Sequence, residues 1–233
     1  MPILPARTPG NRVAQQLDHY DGLTSTRHHK TETVLWCLST HSQAALLDHH
    51  EAPVLEALIW TIKSWWGVQG VRHETKSAMA KALITLEWSP DLFEPVDTPP
   101  PDAEEYAINR VATLVQRSKA RGVRRREYSL ASKVLHWLQP WQIPVYDSFV
   151  RKSLGIPAAW DLPKAYAHIA DEVFQAARNV TAANPAWIGS LEPRSPLRAF
   201  DKYLWWFGGG NSTGAAEVRN PWHVLDELRL ARS

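Results

Sequence analysis

Apolar residues fall three and four apart along most of this chain, and nowhere do they alternate in twos for long enough to make a sheet face. That pattern predicts an all-α fold. Leu55, Leu58, Ile59 and Ile62 set the spacing in a segment 53–66 that opens with Pro53, a residue suited to a first helical turn. Met79, Leu83 and Leu86 repeat it in 71–88. A longer segment, from about Ala103 to Arg121, begins with Glu104 and Glu105 and ends in basic residues, which suits the helix dipole at both ends. Asp161, followed by Pro163, predicts the cap of a helix running to about Ala183. Further helices are expected over 195–207 and 221–230, the last opened by Asn220-Pro221.

Prolines divide this series. Pro90, Pro95, Pro99, Pro100 and Pro101 crowd the stretch 89–103, where a helix cannot continue and an extended connector is expected. The expected division is an N-terminal helical region, 1–102, ending in this acidic connector, and a helical region, 103–233, carrying the chemically informative segment 129–155. Gly208 to Gly214 reads as a surface loop.

Charge is patterned although the net formal charge is only +2. Ala82 to Asn109 holds no Lys or Arg, whereas Arg117, Lys119, Arg121, Arg124, Arg125 and Arg126 follow without an intervening acid. A local basic run can bind phosphates even when the total charge is near zero, although cations are also favoured at a solvated helix C-terminus. Hydrophobic residues make up 44% of 233, enough for a core, and no apolar run approaches the ~20 residues that cross a bilayer. The first residues lack an apolar signal core. The single cysteine, Cys37, excludes an internal disulfide framework and a four-cysteine cluster, so a cytoplasmic protein is expected. His28-His29 and His49-His50 lack firm metal-ligand spacing, and Gly208 to Gly210 lacks a following Lys-Ser/Thr. Neither a metal nor a cofactor is expected, and a monomer is the simplest state.

Chemistry concentrates between Ser129 and Lys152. With Ser129 as a cap and about 100° per residue, Leu130, Val134, Trp137 and Leu138 form one apolar face with Lys133 on its edge, while Ser132 and His136 point elsewhere. An amine partly desolvated against an indole is expected to lose its proton more readily, as a lysine nucleophile requires. Pro140 ends the helix and Pro144 extends the chain to Tyr146. Asp147 then stands where a short helix, Ser148 to Leu154, should begin, with Gly155 to end it. A carboxylate there stays ionised and suits positive charge developing on a sugar ring. The connector is short enough to bring Lys133 and Asp147 into one cleft, and Arg151 and Lys152 follow as candidate phosphate contacts. Twelve tryptophans are unusual; most are expected in the core, and a few are expected to line a pocket that stacks a base, with Trp137, Trp141, Tyr146 and Trp205 the candidates.

The sequence Ser-x-x-Ser-Lys133-Val-Leu-His-Trp-Leu, then Pro140, then Ile-Pro-Val-Tyr-Asp147-Ser, resembles the catalytic segment of the helix-hairpin-helix DNA glycosylase superfamily, and most of all bacterial 8-oxoguanine glycosylase-like proteins. The likeness covers about 25 residues. It implies a two-lobed helical fold in which DNA presents a flipped, modified nucleotide to a cleft. Lys133 would then attack the sugar C1′ and form a Schiff base, which also equips an enzyme for AP lyase chemistry. Asp147 would stabilise the oxocarbenium-like transition state. Leu197 to Trp206 is similar, more faintly, to a closing helix of these relatives. The glycine-rich hairpin of the family is replaced here by Arg126-Glu-Tyr-Ser-Leu-Ala-Ser, so its phosphate contact would fall to Arg124, Arg125 and Arg126, with Ser129. The expected target is an oxidised purine, in repair, or a hypermodified viral base, in antiviral defence.

Three alternatives stand beside this reading. Asp147 could activate water while Lys133 only aids binding. The chain could be a non-catalytic DNA- or RNA-binding protein using 117–126. A metal-dependent nuclease is the third, on the thin basis of Glu74-Thr-Lys76.

Overall fold

The computed structural model describes residues 28–48, 53–65, 73–96, 98–118, 127–183 and 196–205. Among them every regular element is helical, as the apolar spacing predicts. In chain order these are α1 (His28–Leu47), α2 (Pro53–Trp65), α3 (His73–Ile84), a 3-10 turn (Pro90–Phe93), α4 (Ala103–Arg117), α5 (Glu127–Leu138), α6 (Ser148–Ser153), α7 (Leu162–Ala183) and α8 (Pro196–Trp205). The helix expected over 221–230, the loop 208–214 and Arg124 to Arg126 lie outside the described residues.

Helix α5 is the centre of the assembly. It packs against α1, α2 and α4, and every side chain from Leu130 to Leu138 is buried. One apolar cluster runs from Leu35 on α1, through Leu58 on α2, Leu83 on α3 and Val111 on α4, to Phe174 on α7 and Leu204 on α8. Residues on both sides of the proline-rich stretch therefore share a core. That stretch also packs locally: Trp88 donates its indole N–H to the Leu83 carbonyl at 2.7 Å and stacks on Phe93 at 5.5 Å.

Several boundaries differ from the sequence expectation for identifiable reasons. Helix α3 stops at Ile84 because Thr85 and Leu86 bond back to Ala82 and Leu83, tightening the last turn into i−3 geometry. Helix α4 runs to Arg117 with Ser118 still bonded to the Leu114 carbonyl, and the expected end near Arg121 lies outside the described residues. Helix α5 begins at Glu127, so Ser129 lies inside it and is not its cap. Helix α1 is not announced by apolar spacing at all. Ser39 and Ser42 are buried at positions where core residues would be expected, and polar residues dilute the pattern.

Candidate active site

The site is built by the return of the chain after α5. Gln142 and Ile143 bond back to the Gln139 carbonyl, turning the backbone at Pro140. Three side chains then fasten the extended stretch. The His136 Nδ1–H donates to the Ile143 carbonyl at 2.7 Å, the Ser132 Oγ accepts from the Tyr146 N–H at 2.9 Å, and the Tyr166 hydroxyl donates to the Pro144 carbonyl at 3.1 Å. Ser132 and His136 do point away from the apolar face, but toward this connector and in full burial. Their bonds fix its register against α5, so Asp147 arrives beside Lys133.

Asp147 has extended backbone angles and caps α6, its Oδ1 accepting from the Phe149 N–H at 2.8 Å. Its Oδ2 meets the Lys133 Nζ at 2.8 Å, an ion pair across fourteen residues whose side chains are 5% (Lys133) and 14% (Asp147) exposed. Helix α6 ends at Ser153, and Gly155, at φ 64°, makes the left-handed exit for which its lack of a Cβ suits it. The amine is buried, not snorkelling.

Sequence reasoning gave no role to a second buried charged assembly. Arg198 on α8 bonds Glu32 of α1 and Asp201 one turn along its own helix, and the Lys202 Nζ lies 3.5 Å from the other Glu32 oxygen. All four residues are less than a tenth exposed. Burial pushes the Glu32 carboxyl up, but the charges of Arg198 and Lys202 and their hydrogen bonds outweigh it and hold it at about 2. Burial pushes Asp201 up, and the charge of Asp147 adds to this against the opposing pull of Arg198 and Lys133. Burial, with Arg198 nearby, lowers His136 to about 3, so its ring is neutral at physiological pH. The available signal was Arg198, Asp201 and Lys202 at helical spacing, which reads equally as a solvated face.

The aromatic candidates separate. Trp137 is fully buried, edge-on to Trp36 at 4.8 Å, with the Arg198 guanidinium 6.0 Å from its ring. Trp205 packs edge-on to Phe149 at 5.6 Å, fixing α8 against α6. Tyr146 is buried and its hydroxyl accepts from Arg151 at 3.0 Å, while Trp141 is half-buried. Arg151 also donates to the carbonyls of Pro157 and Trp160, so its guanidinium holds the loop after α6. Lys152 is exposed, and Ser129 is half-buried. From the basic run, Arg117 turns back onto the Thr85 carbonyl and hydroxyl.

A cavity of about 900 Å³ opens where α5 and α7 begin, between Tyr128, Trp160, Glu127 and Arg151. Lys133 and Asp147 do not line it. Lys76, of the Glu-Thr-Lys motif, is buried with its Nζ 3.0 Å above the Trp60 ring, an environment unlike a nuclease metal site. His168, Asp171 and Glu172 bring potential ligand atoms within 4.8 Å of one another along α7, a grouping common on helices that bind no ion. No helix among the described residues is long and apolar enough to cross a membrane. No family model, curated protein or solved structure matches the chain.

Proposed function

We propose that the protein is a DNA glycosylase of the two-lobed helical type, cleaving the N-glycosidic bond of a modified nucleotide with Lys133 as nucleophile and Asp147 as the stabilising carboxylate. One observation carries this reading: an amine and a carboxylate in direct contact at 2.8 Å, in a site where both are largely withdrawn from water. Removal of a base leaves positive charge on the sugar, and a fixed carboxylate at low local dielectric stabilises it far more than water does. Asp147 is fixed twice, by the amine and by the Phe149 N–H. On this reading the neutral amine adds to C1′ as the C1′–N bond breaks; the base leaves with the bonding electrons and takes one proton of the added nitrogen, and the second passes to O4′ as the C1′–O4′ bond opens to leave the Schiff base.

The flipped nucleotide is proposed to enter beside α5 and α6, with DNA phosphates met by Lys152 and by Arg124 to Arg126. The same geometry serves a monofunctional enzyme in which Asp147 activates water. Borohydride reduction distinguishes them. Incubation with duplexes carrying different natural base modifications should release a base from one class. Borohydride should then trap a protein–DNA adduct that Lys133→Ala eliminates. Base release that persists at full rate in Lys133→Ala removes Lys133 as nucleophile, and release that also persists in Asp147→Asn removes the site. The non-catalytic alternative would use Arg117, which is exposed and bonded to Thr85; it predicts salt-sensitive DNA binding without base release from any duplex.

A further inference from the structure

The Lys133–Asp147 pair makes no use of the cavity of about 900 Å³ at the starts of α5 and α7, a volume within the range of small-molecule sites. Its two aromatic walls are held from behind. Tyr128 leans on the buried Tyr166, the ring centroids 6.5 Å apart. Trp160 closes the turn after α6: its N–H bonds to the Pro157 carbonyl at 3.1 Å, and Arg151 donates to the Pro157 and Trp160 carbonyls alike. His168 meets the indole edge-to-face at 5.6 Å. Both walls stay half-buried, so each ring keeps surface for a guest. Polar groups stand around them. Asp161 uses one carboxylate oxygen on the Lys164 N–H at 2.8 Å, which leaves the other, with the Tyr128 hydroxyl and the exposed Gln116 amide, to face a guest. Burial, and then the Asp161 charge, raises the Tyr128 hydroxyl above its ordinary range, so it remains a donor. Two exposed cations lie close by: the Lys164 Nζ, 4.3 Å from the Trp160 ring, and Lys152, which follows Arg151.

We propose that this cavity binds one unstacked nucleobase of a DNA strand, a base other than the one whose sugar stands at Lys133. Flat aromatic walls suit the face of a base, and stacking of this kind accepts any of the four. The carboxylate, hydroxyl and amide suit its edge, which carries donors and acceptors in one plane. Lys164 and Lys152 suit the phosphates on either side, so the chemistry fits a nucleotide within a strand better than a free ring. Spacing separates the guest from the reacting nucleotide. Tyr128 precedes Lys133 on α5 by about 7–8 Å of helix rise, and neither Lys133 nor Asp147 reaches the lining. The cavity is nevertheless tied to the pair. Arg151, which braces the Trp160 turn, also donates to the Tyr146 hydroxyl at 3.0 Å, and Tyr146 leads directly into Asp147. A neighbour of the reacting nucleotide is therefore the base in register with the cavity. The choice of DNA rests on the glycosylase reading; occupancy of the cavity is measurable apart from it.

The test needs no catalysis. Short single strands bearing ordinary bases are compared with strands of equal length built from abasic tetrahydrofuran units, which keep the phosphates and lack the bases. The native protein should bind the base-bearing strand about tenfold or more tightly, the gain expected of a stacked base. Trp160→Ala should weaken that strand by about the same factor and leave the abasic strand unchanged, whereas Lys133→Ala should keep the preference. Equal affinity of the native protein for the two strands overturns the proposal, as does a preference that survives intact in Trp160→Ala. Should Trp160→Ala not fold, the native protein decides: 4-thiothymidine in the strand, irradiated in the complex, should crosslink to Tyr128 or Trp160, and a map without a crosslink to the cavity lining overturns the proposal. The two readings fail separately. Equal affinities leave the glycosylase reading standing, and absence of base release from every duplex defeats that reading while a base preference lost in Trp160→Ala still locates the guest.

Discussion

This molecule holds two buried charge assemblies, and they are made in opposite ways. Lys133 and Asp147 are fourteen residues apart and meet because one local turn, fastened by Ser132 and His136, returns the chain onto α5. Glu32 and Arg198 are 166 residues apart and meet only when the first and last described helices close on the same core. The first assembly keeps one member partly open, with Asp147 14% exposed at its side chain. The second is shut, with the Arg198 side chain 3% exposed. A site that must admit a substrate needs the former. A clasp that fixes α8 to α1 is best served by the latter.

The largest stability effect should therefore come from the clasp. Arg198→Ala leaves Glu32 and Asp201 buried without their shared cation and should cost about 3–5 kcal/mol. Lys133→Met should cost clearly less, because Asp147 keeps the Phe149 N–H and some access to water. Urea unfolding of the two variants compares them directly. Equal losses would mean that the two assemblies do the same structural job.

The same contrast explains what could be read from the chain alone. The all-helical class, the cap at Asp161 and the Asp147 cap were legible because each is a short-range pattern. Asp161 does accept from the Lys164 N–H at 2.8 Å. The approach of Lys133 to Asp147 was legible for the same reason, since two prolines and a capping residue fix a short path. Helix α1 was not, because its buried face carries Ser39 and Ser42, whose hydroxyls resemble surface positions until their burial is seen. Ser39 and Gln43 there donate to the carbonyls of Trp137 and Leu138, completing the end of α5. Glu32, Arg198, Asp201 and Lys202 were illegible as a group, because nothing local distinguishes a buried ion cluster from a charged exterior.

Acid separates the assemblies next. His136 is held at about 3 in the fold, below the ordinary 6.5, so the unfolded chain takes up this proton first. Its contribution to stability is full above about pH 6.5 and is lost as pH falls toward 3, at a slope of about 1.4 kcal/mol per pH unit. Glu32, at about 2 against an ordinary 4.5, adds a further loss below about pH 4.5. His136→Gln should flatten the upper part of that decline and leave the lower part. An unchanged slope between pH 6 and about 4.5 would show that another group carries it. On the connector itself, Ser132→Ala strands the buried Tyr146 N–H and should cost about 1–3 kcal/mol, measured by the same unfolding titration.

The last comparison concerns the residue assigned the most chemistry. Asp147→Ala removes both the cap of α6 and the partner of Lys133, and the lost cap alone should cost about 1 kcal/mol. Asparagine caps a helix about as well as aspartate, so Asp147→Asn should keep the Phe149 N–H bond and the entry geometry of α6 while removing the charge. Its unfolding midpoint should lie closer to the native protein than that of Asp147→Ala. On the proposed glycosylase reading, base release should fall by about 10²–10³ in both variants, since each would lack a fixed countercharge at the sugar. If Asp147→Asn retained activity in proportion to its stability, Asp147 would be a cap and nothing more. The two assemblies would then differ in burial but not in purpose.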